Sequence, residues 1–155
     1  MEELIQLLIK ENKTISVMES CTGGGICNAI TNISDSSKVF SYGVVTYSND
    51  AKIKIGVSKG LVDKYSVYSS EVACDMARVI NEISLSNYSI GVTGKLMKKD
   101  ENNMFGEDNL VYFCIYDRDN NIFYNESMHV SYRERVDNKN EVINKIVEKM
   151  LEIVK

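Results

Sequence analysis

Residues 14–33 read Thr-Ile-Ser-Val-Met-Glu-Ser-Cys-Thr-Gly-Gly-Gly-Ile-Cys-Asn-Ala-Ile-Thr-Asn-Ile. Thr14 to Met18 predicts a short strand, Glu19 to Gly25 a turn, and the small residues after it a helix to about Ile33. Glycines let a ligand approach the backbone, and free N–H groups at a helix start favour an anion. The turn is no Walker loop, because no Gly-Lys-Ser/Thr follows. It is no dinucleotide fingerprint either, because Asn28 stands where a third glycine belongs. Two readings remain open on spacing alone: a tight strand-to-helix turn, or a site for a phosphate or carboxylate.

Outward from that unit, strands and helices alternate. Leu4, Ile5, Leu7 and Leu8 predict a helix over 2–11. Val39 to Tyr47 alternates and is β-branched, a strand, and Asn49 is placed to cap a short helix through Lys54. Ser69 and Ser70 precede a longer helix carrying Val72, Met76, Val79, Ile80 and Ile83. Tyr88 to Thr93 is a strand and 95–107 a long polar loop. Leu110 to Tyr116 and Ile122 to Val130 flank Asp117-Arg118-Asp119-Asn120-Asn121 as a hairpin. Val142, Ile146, Val147, Met150 and Leu151 share one face of a last helix. The expected fold is one α/β domain over 1–155, a compact three-layer α/β/α sandwich with a mixed sheet.

Composition excludes several classes. With 44% hydrophobic and 26% charged residues over 155 positions, the chain matches a globular domain rather than a disordered one. A net charge of −4 disfavours a nucleic-acid partner. No apolar run is long enough for a membrane span, and the acidic start Met1-Glu2-Glu3 is unlike a secretory leader, so a cytoplasmic location is expected. Cys21, Cys27, Cys74 and Cys114 are too scattered for a zinc site. Cys27, Cys74 and Cys114 sit in apolar runs as small core residues. With His129 the one histidine, no metal site and no cofactor are expected.

Two serine sites compete. Gly56-Val57-Ser58-Lys59-Gly60 matches Gly-x-Ser-x-Gly literally. A polar segment precedes it where a nucleophile elbow needs a buried strand, so it reads as a chance loop match. Ser36-Ser37 and Tyr47-Ser48-Asn49-Asp50-Ala51-Lys52 offer an activated serine that borrows a lysine or tyrosine as base. Burial can lower a lysine pKa far enough for that. The local residues also read as an N-cap at Ser36 or Ser37 beside a solvated Lys52, and only the fold can bring the pair together.

Glu19-Ser-Cys-Thr-Gly-Gly24, Ser36-Ser37-x-x-Phe40 and Gly43-Val-Val-Thr-Tyr-Ser-Asn-Asp-Ala-Lys52, in that order and spacing, resemble the C-terminal domain of the competence/damage-inducible CinA family, the nicotinamide-nucleotide amidases. Ser69 ahead of Met76-Ala77 and Thr93-Gly94 add weaker matches, so the resemblance covers nearly the whole chain. It implies an α/β/α fold and a metal-independent enzyme that converts nicotinamide mononucleotide to nicotinic acid mononucleotide and ammonia. By position it implies Ser37 as nucleophile, Lys52 as general base and Tyr47 as an aid to proton transfer. It implies substrate binding by Ser20, Cys21, Thr22, Gly23, Gly24, Thr93 and Gly94. A small-molecule nucleotide is the expected partner, with a homo-oligomer as the expected assembly. Many relatives carry an additional N-terminal domain that these 155 residues do not include.

The rim departs from the family pattern. Lys95-Leu96-Met97-Lys98-Lys99-Asp100 replaces an Ala-Gly-Pro-Gly-Gly type loop, and Ser66-Val67-Tyr68-Ser69 replaces Gly-Ala-Val-Ser. Asp137-Asn138-Lys139 stands where the family has Gly-Asp-Arg, which makes Lys139 the expected phosphate contact, with Arg133 or Arg135 as substitutes. Lysine lacks arginine's bidentate fork. The replaced rim keeps two alternatives in view: a non-catalytic nucleotide-binding module, or an amidase with an altered substrate.

Overall fold

The computed structural model describes residues 1–97, 104–131 and 134–155. Helix α1, Glu2–Lys10, buries Leu4, Ile5 and Leu8 on one face. Strand β1, Ile15–Glu19, is buried along its whole length, as a strand covered on both faces must be. Helix α2, Gly25–Thr31, and a 3-10 turn, Ser36–Lys38, lead to β2, Phe40–Val45. Three helices follow: α3, Asn49–Ile55, α4, Lys59–Tyr65, and α5, Ser70–Ser84. Then come β3, Tyr88–Gly94, the hairpin of β4, Leu110–Asp117, and β5, Ile122–His129, and last α6, Arg135–Val154.

The sheet runs β2-β1-β3-β4-β5. The first three strands are parallel and the last two add antiparallel. Consecutive residues of a strand face opposite ways, and β1 shows it. Val17 joins Leu8, Ile30, Phe113 and Ile146 under α1, α2 and α6, whereas Met18 packs with Val72, Met76 and Ile80 of α5. The result is the expected α/β/α sandwich with a mixed sheet.

Four local expectations are corrected. Helix α4 falls where a loop is read; Ser58 is its N-cap, with Oγ accepting from the Leu61 amide at 3.3 Å. Ser48, not Asn49, caps α3, with Oγ accepting from the Ala51 amide at 3.1 Å. Neither Ser36 nor Ser37 is an N-cap, because Asp35 enters the 3-10 turn with a φ of 66° and no side-chain cap. The start of the supposed polar loop is buried at Lys95 and Leu96, and its residues 98–103, which include Lys98, Lys99 and Asp100, lie outside the described residues.

The topology fixes where a ligand can sit. From β1 the chain moves to β2 on one side and then across to β3 on the other, so the strand order reverses beside β1. Crevices form outside the carboxyl ends of parallel strands at such a point. Ser20, Thr46 and Lys95, the residues that directly follow β1, β2 and β3, share that end.

Gly91 sets how closely α5 lies on the sheet. A Cβ there would come within 2.2 Å of the Ala73 carbonyl oxygen and 2.6 Å of the Ala77 amide nitrogen, both helix backbone. Gly91→Ala is therefore expected to lower the unfolding free energy by about 1–3 kcal/mol, the cost of forcing extra volume into a packed core. Urea denaturation checks this; an unchanged midpoint would show that α5 can lift off the sheet freely.

Candidate active site

Glu19 ends β1 fully buried, and its carboxylate is the anion of the glycine turn. Oε2 accepts from the amides of Gly24 at 3.1 Å and Ile26 at 3.0 Å, and Oε1 from Cys27 at 2.8 Å. These are the orphan donors of a helix start, which carries partial positive charge. The expectation that the start of α2 binds an external phosphate or carboxylate is thereby corrected, because the chain supplies its own. Gly24 enters the helix with a φ of 93°, a conformation glycine adopts without strain.

The Glu19 turn presents Ser20 to Lys52. Lys52, at the middle of α3, is only 2% exposed. Its Nζ donates to the Thr46 carbonyl oxygen at 2.7 Å and to Ser20 Oγ at 2.9 Å. Both partners are neutral, so desolvation is not offset by a counter-charge, and burial pushes the ammonium down to about 8. Thr46 is held in turn by Glu19, whose backbone oxygen accepts from the Thr46 amide at 2.8 Å. Ser20, Lys52 and Thr46 thus hang from one buried turn. Cys21, next to Ser20, is pushed up to about 12 by burial. It stays a thiol at neutral pH and does not compete as a nucleophile.

Ser37 does not meet Lys52 within the chain. The Val39 carbonyl accepts from the Ile15 amide, so the Ser36–Lys38 turn lies where β1 and β2 begin. Ser20 and Lys52 lie where those strands end. β1 has five residues, and at roughly 3.3 Å per residue the two sites are on the order of 15 Å apart. Ser37 is also exposed. Tyr47 is 64% exposed, and its hydroxyl accepts from Arg135 Nη2 at 3.4 Å. It therefore stands at the mouth of the site, not against the buried amine.

The remaining candidates gather at the same end. Met18 pairs with Gly91, which sets Thr93, two residues on, beside Ser20. Thr93 is fully buried and its hydroxyl donates to the Val67 carbonyl at 2.8 Å, while Gly94 ends β3 paired with Val111. Thr22 Oγ1 is buried without a hydrogen-bond partner, an open polar group at the turn. Lys139 Nζ lies 3.2 Å from where a Cβ of Gly23 would be. The two share an open groove of about 700 Å³ with Thr22, Gly24, Asn28 and Asn140. Arg133 lies outside the described residues.

Sequence reasoning missed three supports. Thr46 contributes a backbone oxygen, which no side-chain pattern reveals. Asn138 is fully buried and donates from Nδ2 to the Leu96 carbonyl at 2.6 Å, tying α6 to the end of β3. Glu19 had a signal: an acid directly before a glycine-led helix start. His129 is on the far edge strand, 2.9 Å from Glu107, and takes no part. Among the described residues no group of three His, Cys, Asp or Glu could hold a metal, and no helix is long and apolar enough to cross a membrane.

The model of the CinA C-terminal domain matches residues 1–155. The chain belongs to the CinA family. A Clostridium kluyveri relative named for competence-damage induction is 41% identical over 138 residues, 88% of this chain and 33% of that protein. A CinA-like protein of Fervidobacterium nodosum is 46% identical over 90 residues, 57% of this chain and 22% of that one. The chain thus spans a third or less of the length of these relatives. Among solved structures, the competence/damage inducible protein CihA of Agrobacterium tumefaciens superposes with a TM-score of 0.86 at 27% identity, covering 99% of this chain and 95% of that one. A CinA superfamily protein of Klebsiella pneumoniae gives 0.90 at 19% identity over 99% and 94%, a likeness of fold.

The buried ammonium makes stability depend on pH. Lys52 loses its proton near 8 in the folded chain against 10.5 when unperturbed, so between those values the unfolded chain binds more protons and stability rises with pH. Relative to Lys52→Met, the wild-type unfolding free energy is expected to gain about 1–3 kcal/mol across that window. Parallel chemical denaturation of both proteins measures it; a difference that does not change with pH would show that Lys52 is not held against burial.

Proposed function

We propose that this CinA domain is an amidohydrolase that cleaves the carboxamide of nicotinamide mononucleotide, giving nicotinic acid mononucleotide and ammonia, with Ser20 and Lys52 as its catalytic pair. The observation that carries the reading is the 2.9 Å contact between Ser20 Oγ and the buried Lys52 Nζ. The substrate rests on the family resemblance, and the assignment of Ser20 in place of Ser37 rests on the geometry.

The chemistry follows from the proton inventory. Deprotonated Lys52 keeps one N–H on the Thr46 carbonyl and turns its lone pair to Ser20. It takes the hydroxyl proton as Oγ attacks the amide carbon. The resulting ammonium returns that proton to the leaving nitrogen, and the carbon–nitrogen bond breaks to release ammonia. Water, deprotonated by the same amine, hydrolyses the Ser20 ester and frees the acid. Thr22, two residues on from Ser20 in the same turn, carries an uncommitted hydroxyl. For the phosphate, Arg135 and Lys139 lie four apart on α6, one turn above the other on a shared face.

Ammonia release from nicotinamide mononucleotide, nicotinamide riboside and free nicotinamide, measured side by side, tests the substrate. Turnover of the mononucleotide alone is expected; turnover of none would leave a binding module. Ser20→Ala and Lys52→Ala should each lower kcat by orders of magnitude without additivity, while Ser37→Ala should stay close to wild type. The reverse pattern would return the nucleophile to Ser37. Because the base must be neutral, kcat/KM should climb about tenfold per pH unit below about 8 and level off above it. Lys52→Arg, which keeps its proton, should be inactive.

Phosphate grip is a separate test. Lys139→Ala should raise KM more than it lowers kcat, by about 1–3 kcal/mol in kcat/KM, the range of a charge-assisted hydrogen bond. Arg135→Ala run in parallel locates the contact. A KM effect confined to Arg135 would move the phosphate to the mouth, and no effect from either would mean that the substrate carries no phosphate there.

A further inference from the structure

Cys74 and Cys114 meet where α5 lies on the sheet. Gly91 and Cys114 are directly paired across β3 and β4, and residues opposite one another in an antiparallel pair project to the same face. That face is the α5 side, because a Cβ on Gly91 would stand against the Ala73 oxygen, the Ala77 amide and the Met76 side chain. Cys114 is fully buried there with Ala73 and Ala77, and Cys74, Tyr112 and Tyr116 pack around it. Cys74 follows Ala73 and lies three residues before Ala77, so it flanks the same helix face. The bare Gly91 and the two alanines let the helix settle onto the strands, and the two thiols share a hydrogen bond. A disulfide can bridge a helix and a strand only where the backbones come this near to each other.

The two thiols are unequal. Cys74, read from the sequence as a core residue, is partly exposed, whereas Cys114 is buried. The Cys114 S–H donates to Cys74 Sγ and holds that thiol below its usual range; burial and the carboxylates of Glu71 and Asp75 oppose this and are outweighed. The same hydrogen bond, together with burial, pushes Cys114 up. Cys21 and Cys27 are also pushed up, by burial above all. One accessible sulfur that favours the thiolate thus has a protonated thiol beside it, the arrangement of an attacking and a resolving cysteine.

We propose that Cys74 and Cys114 are a redox modification site, which low-molecular-weight disulfides convert into a reversible bridge stapling α5 to β4. The Cys74 thiolate attacks one sulfur of the small disulfide and expels the first thiolate, leaving a mixed disulfide on Cys74. Cys114 gives its proton to a departing thiolate, attacks Cys74 Sγ and expels the second. Two protein thiols are oxidised, and one small disulfide is reduced to two thiols. The site does not depend on the amidase reading.

One equivalent of dithiobis(nitrobenzoate), added to the folded chain, tests it by stoichiometry. The wild type should release two thionitrobenzoates per chain and keep no adduct, and peptide mapping should join Cys74 to Cys114. Cys114→Ala should release one and keep one adduct, on Cys74. Cys74→Ser should react roughly tenfold or more slowly than the wild type. The bridged wild type should melt roughly 5–10 °C higher, because the bridge constrains the unfolded chain, and dithiothreitol should restore the original midpoint. Adducts retained by the wild type, a bridge that includes Cys21 or Cys27, a Cys74→Ser chain as reactive as the wild type, or a midpoint that does not rise would each overturn the proposal. If Cys114→Ala fails to fold, the stoichiometry, mapping and melting of the wild type decide without it.

Discussion

A carboxylate buried at the centre of the domain holds the candidate site in place. Glu19 sits between the end of β1 and the start of α2, and three backbone amides converge on it. An ion so far from water is tolerated only when its oxygens are satisfied, and here the donors are groups the helix start would otherwise leave orphaned. The backbone oxygen of the same residue anchors Thr46. One residue therefore fixes the turn that presents Ser20, the helix behind it, and the carbonyl that Lys52 needs.

Lys52 is the complementary case, a buried cation whose partners are neutral. A carboxylate beside it would steady the ammonium and spoil it as a base. A serine hydroxyl and a peptide carbonyl accept its hydrogens without holding its proton. The domain bears that cost at the carboxyl ends of β1 and β2, where the reversal of strand order leaves room for a ligand. On the proposed reading, stability and chemistry pull against each other at this one side chain.

Much of the fold was legible because its signals are local. β1, β2 and β3 are apolar and β-branched, α5 has a capping serine and a helical apolar period, and Asp117 to Asn121 mark a hairpin. Helix α4 was illegible because it buries no residue and so carries no apolar stripe. For the site, the sequence showed the participants and not their pairing. Ser20 and Ser37 both precede Lys52, at distances along the chain that say nothing about which end of a strand each occupies. Ser37 precedes β2 and Lys52 follows it, and that order places them at opposite ends of the sheet. Ser20 follows β1, which runs parallel to β2, and so reaches the same end as Lys52. Parallel pairing, a long-range fact, settles what motif spacing could not.

The polar groups of the site divide by how firmly they are held. Glu19, Ser20, Thr46 and Lys52 are buried and bonded to one another, which suits groups that must meet a reacting carbon in fixed geometry. Arg135, Tyr47 and Lys139 stand further out, on side chains free to adjust. Arg135 opens α6, a place where the positive end of the helix dipole disfavours a cation. Glu134 at the N-cap and Asp137 in the first turn balance it there. On the proposed reading, the rim residues meet the substrate phosphate, while the buried core is complete before substrate binds. On that reading, the loop after β3 and the start of α6 can depart from the family pattern without touching the contact between Ser20 and Lys52.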